Sequence, residues 1–113
     1  MWPFQKKKSS VFNLPRYKNK PVLLLFEYFI LDAIGQLSAE RRQGIEQMDL
    51  KKIFATRSSD WKQSLKTTLK LSATIETAIL ESWYKAREKD SAADAESFSR
   101  SFADEYFKDS SQV

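Results

Sequence analysis

Lys62, Lys66 and Lys70 recur at every fourth position, a spacing that stacks three ammonium groups along one face of a helix. Such a stripe breaks two local rules. Like charges at i,i+4 repel by about 0.3 kcal/mol a pair, and cations in the first turns oppose the helix dipole. A face that accepts both costs suits an anionic partner: an acidic protein surface, nucleic-acid phosphates or an anionic lipid surface. Lys51, Lys52 and Arg57 lie just upstream, so the candidate partner-binding set is Lys51, Lys52, Arg57, Lys62, Lys66 and Lys70. The plainer reading is a solvated face, or one neutralised by Asp94, Glu96, Asp104 and Glu105 of an acidic C-terminal helix.

Covalent and acid–base chemistry finds little material. The 113 residues contain no His and no Cys, and the only glycines are Gly35 and Gly44. The usual nucleophile–base pairs, zinc ligand sets and glycine-rich phosphate loops are therefore missing. Two carboxylates can serve as acid and base, but Glu27 and Asp32, like Glu76 and Glu81, are five apart, which sends each pair to different sides of a helix. Asp104 and Glu105 are adjacent. Magnesium needs only one or two carboxylates plus phosphate oxygens, yet no acidic cluster of the metal-hydrolase kind is visible. The sequence thus points to a non-enzymatic protein with no catalytic residue, metal site or cofactor.

Charge is unevenly spread over a net of +4. Residues 1–20 carry Lys6, Lys7, Lys8, Arg16, Lys18 and Lys20 and no acid, residues 49–70 carry six cations against Asp49 and Asp60, and residues 71–113 carry five cations against nine acids. Pro3, Pro15 and Pro21 punctuate the first stretch, which reads as a flexible basic arm over residues 1–20. Within it, Trp2 and Phe4 beside Lys6, Lys7 and Lys8 could touch an anionic membrane surface, each lysine contributing about 1 kcal/mol. The apolar run that opens at residue 22 meets Glu27 and Asp32 and is short of the roughly 20 residues that cross a bilayer. It reads as a buried helix rather than a signal or a span, and the expected location is cytoplasmic.

One domain of this length buries roughly two-thirds of its unfolded surface, and 42% apolar residues supply the core. Pro21 suits the first position of a helix, followed by an apolar stretch with Gly35 as its C-terminal stop. Ser38 can cap a second helix over 39–48, Asp49 a short turn through Phe54, and Asp60 the longest element, with Trp61, Leu65, Leu69, Ile75, Ile79 and Trp83 on one face. Residues 70–72 are a candidate kink in it. Residues 56–59 and 90–91 read as loops, and Phe98, Phe102 and Tyr106 as the inward stripe of a closing helix.

The expected architecture is all-α: a compact bundle of four to five helices over residues 21–109, with the basic arm before it and a tail at 110–113. Its expected core is Leu24, Phe26, Ile30, Leu31, Ile34, Ile45, Phe54, Leu65, Leu69, Ile75, Ile79, Trp83, Phe98 and Phe102. The leading functional expectation is a protein-interaction module whose lysine-striped helix binds an acidic protein. Alternatives are a non-specific nucleic-acid binder and a peripheral membrane protein. A homodimer is also open, because a helix apolar on every side needs cover on every side.

Overall fold

The computed structural model describes residues 15–110, and these contain six α-helices and no strand. Helix α1 (Pro21–Ala33) carries its proline at the first turn. It ends where Gly35 takes φ +75° and Gln36 N–H reaches back to the Leu31 carbonyl at 2.7 Å, a Schellman closure that a residue without Cβ adopts at no steric cost. Helices α2 (Ala39–Glu46), α3 (Leu50–Phe54) and α4 (Trp61–Leu69) begin at Ser38, Asp49 and Asp60, whose side chains accept the backbone N–H of Arg41, Lys52 and Lys62. Helices α5 (Ile75–Lys89) and α6 (Ala95–Ser110) complete the chain, the latter capped by Asp94, which accepts from Ser97 N–H at 2.9 Å.

Helix α1 is the axis of the molecule. It packs against α3, α4, α5 and α6, while α3 lies on α4 and α5 on α6. Leu23, Leu24, Leu25, Phe26, Phe29, Ile30 and Leu31 are all buried, so the cover that an apolar helix needs comes from within the chain. Phe26 sits among the rings of Phe29, Phe102, Tyr106 and Phe107, with centroids 5.1–6.4 Å away. Burying such a side chain contributes about 1.5–3 kcal/mol.

The helix count is six rather than four to five because the expected long element divides. Lys70 adopts φ +54° and Leu71 N–H bonds to the Lys66 carbonyl at 3.0 Å, ending α4 before α5 begins. Both halves pack on α1. The expected core holds for eleven positions, while Leu69, Phe98 and Phe102 are only partly buried. Tyr17, Leu23, Leu25, Phe29 and Ala103 join it.

Arg16 and Tyr17, read from sequence as part of the arm, pack on the helices. Asn19 takes φ +62°, Lys20 N–H bonds to the Tyr17 carbonyl at 2.8 Å, and Tyr17 is 7% exposed. The remainder of the arm, including Trp2, Phe4, Lys6, Lys7 and Lys8, lies outside the described residues, as do residues 111–113. No helix among the described residues is long and apolar enough to cross a membrane.

Candidate partner-binding surface

The six candidate cations divide by position. Lys51 and Lys52 are exposed on α3, Arg57 is exposed in the loop that follows, and Lys70 is exposed at the left-handed end of α4. Lys62 and Lys66 are half-buried on α4. Lys62 pairs with Asp32 of α1, which also accepts from Arg42 of α2 at 2.7 Å. Lys66 lies 3.5 Å from Glu76 of α5 and 5.9 Å from the centre of the Phe29 ring.

Local charge repulsion on α4 is therefore offset by partners on neighbouring elements. Asp32, with its side chain 15% exposed, feels two opposed effects. Burial pushes its carboxyl up, but hydrogen bonds from Lys62 and Arg42, together with their charge, outweigh burial and hold it below the ordinary carboxylate range. The partners of the α4 lysines are Asp32 of α1 and Glu76 of α5, not the acids of α6. Of those acids, Glu96 pairs with Arg41 and Arg100, and Asp104 with Arg16.

Lys70 does not continue the stripe. Its backbone has left the helix, so the i,i+4 register that joins Lys62 and Lys66 stops one turn early. Lys51, Lys52, Arg57 and Lys70 form no ion pair among the described residues. The contact between α3 and α4 brings the helix carrying Lys51 and Lys52 alongside the one that ends at Lys70.

Set beside known protein families, curated proteins and solved structures, the chain matches none.

Of the carboxylates considered for acid–base work, Glu27, Asp32, Glu76 and Asp104 take part in ion pairs. Glu27, 3% exposed, accepts the Tyr17 hydroxyl at 2.5 Å and the Arg16 guanidinium at 2.5 and 2.9 Å. Arg16 continues to Asp104 at 2.9 Å, tying the entering chain to α1 and α6 at once. Burial lowers the guanidinium's affinity for its proton, but bonds to Asp104 and Glu27 more than reverse this and raise it overall. Burial, then the bond to Glu27 and its charge, pushes the Tyr17 phenol up to about 12. Among the described residues no three His, Cys, Asp or Glu side chains gather as a metal-binding group would require.

Sequence reading missed this Arg16–Tyr17–Glu27–Asp104 cluster. The signal that could have found it is Glu27 itself. A carboxylate between Phe26 and Tyr28 in an apolar helix must be paired when buried, and Arg16 and Tyr17 stand one loop upstream.

Proposed function

We propose that this chain is a non-enzymatic, cytoplasmic protein-interaction module that binds an acidic protein through a basic surface built from α3, the loop after it and the end of α4. The observation that carries this reading is the division of the cations. Lys62 and Lys66 are matched inside the molecule, whereas Lys51, Lys52, Arg57 and Lys70 are exposed without an ion pair among the described residues. Matched cations hold α4 against α1 and α5. Unmatched ones keep their charge for an external partner, where complementary potential speeds association and rejects partners of like charge. The engagement of Glu27 and Asp32 in ion pairs supports a binding role over acid–base catalysis.

The test uses the full chain, tagged and captured from lysate of the native host, with and without nuclease. It is compared with the variant Lys51→Glu, Lys52→Glu, Arg57→Glu and Lys70→Glu. One stoichiometric acidic protein should survive nuclease, and the variant should lose it while melting within a few degrees of the parent. A partner retained by the variant places the interface elsewhere. Capture that vanishes with nuclease, with affinity for duplex DNA falling at a log–log salt slope of about −0.9 per phosphate contact, replaces this reading with nucleic-acid binding.

A further inference from the structure

Helix α2 is attached differently from the rest of the molecule. It takes no part in the main helix–helix packing, and Ile45 is its single buried residue, against eight in α1. Its ion pairs among the described residues run through two adjacent arginines, and Leu37 and Met48 on either side of it pack on the core. Arg42 reaches Asp32 at the end of α1, while Arg41 pairs with Glu96 at the start of α6 and lies 5.6 Å from the centre of the Tyr28 ring. Gly35 at φ +75° stands before the helix, and the non-helical residues 47–49 follow it.

Gly44 points the same way. It lies inside α2, where a glycine weakens a helix relative to alanine. A Cβ built at this position meets no atom within 4 Å, so packing does not call for glycine here. The helix is thus locally weak and held by contacts that salt screens. Its Arg41 pairs with a residue that lines an open groove of about 380 Å³ among Leu31, Gln36, Trp83, Arg87, Ala93 and Glu96. Gln36 lies in the segment leading into α2, and Glu96 is the partner of Arg41.

From these observations we infer that α2 is an ion-latched flap beside this groove, released when anions compete with Asp32 and Glu96 for Arg42 and Arg41. Opening swings out Ile45, uncovers Tyr28 and frees Glu96 at the groove edge, while α1 and α6 stay packed. The latch of α2 is separate from the exposed cations of α3, the loop after it and the end of α4.

Native-state hydrogen exchange on the full chain tests it, with amides 42–46 compared against amides 24–31 of α1. The flap requires α2 to exchange at least tenfold faster than α1 after correction for intrinsic rates. Raising sodium chloride from 50 to 500 mM should speed α2 about threefold and leave α1 unchanged. Gly44→Ala, which stabilises the helix without touching the latch, should slow α2 exchange about threefold. Arg41→Gln with Arg42→Gln should speed it and erase its salt response. Equal protection of α2 and α1, or a salt effect shared by both helices, overturns the flap.

Discussion

The Tyr106 hydroxyl of α6 donates to the Leu69 carbonyl of α4 at 2.9 Å, across 37 residues of chain. The chain turns left-handed at Lys70, and the last carbonyls of α4 therefore lose their helical donors. One of them finds its donor on a distant helix.

Tyr106→Phe keeps the ring beside Phe26, with which its centroid is 5.1 Å apart, and removes only the donor. A hydrogen bond of this kind contributes about 1 kcal/mol net. Urea denaturation should show a lower midpoint with an unchanged slope, which marks lost stability rather than a changed unfolded state. An unaltered midpoint would mean that the Leu69 carbonyl is equally well served by water.

Breaking the Arg16–Glu27 pair should cost far more than losing a surface ion pair. The Glu27 side chain is 4% exposed and that of Arg16 29%, so Arg16→Met strands a buried carboxylate with Tyr17 as its remaining partner. The expected loss is about 3 kcal/mol. Adding Glu27→Met should recover part of it, since two apolar groups leave no unpaired charge. A double variant less stable than Arg16→Met alone contradicts this account.

Tyr17 makes stability depend on alkaline pH. Its phenol is pushed up to about 12 in the folded chain by burial first and then by the bond to Glu27 and the Glu27 charge. In the unfolded chain it titrates near 10. A folded value above the unfolded one stabilises fully below pH ~10 and fades as pH rises towards ~12. Subtracting the unfolding free energy of Tyr17→Phe from that of the parent should give a difference constant from pH 7 to 9.5 that shrinks between about 10 and 12. A flat difference across that window rejects the assignment.

Lys62 and Lys70, equal members of one stripe by sequence, should respond unequally to charge reversal. Lys62→Glu removes a partner of Asp32 and sets a like charge against it, at an expected cost of about 2 kcal/mol in thermal or denaturant unfolding. Lys70→Glu reverses an exposed charge that has no ion pair among the described residues, and should stay within about 0.5 kcal/mol. Asp32 adds an acid limb to the Lys62 case. Its folded carboxyl is held below the ordinary value, so the stability it supplies is present above pH ~4 and is lost as pH falls through the lower folded value. Lys62→Glu should lessen that acid loss.

Much of the fold was written locally. Pro21, Ser38, Asp49 and Asp60 start helices and Gly35 stops one, because caps, dihedral limits and missing donors act within four or five residues. The near-continuous apolar character of the segment after Pro21 likewise marked α1 as a buried helix and Phe26 as core. The candidate site was legible only as a set of residue types: six cations at helical and near-helical spacing.

Tertiary structure decided which of those cations remain without an ion pair among the described residues. Lys62 finds Asp32 and Lys66 finds Glu76 only because α4 and α5 both pack on α1, while α4 ends at the left-handed Lys70. Arg16 and Tyr17 join the body because Glu27, buried when the helices close around α1, requires compensating partners. Sequence fixes what a residue can do within reach of its own backbone. Which charges meet across the fold depends on where distant helices settle, and no local spacing encodes that distance.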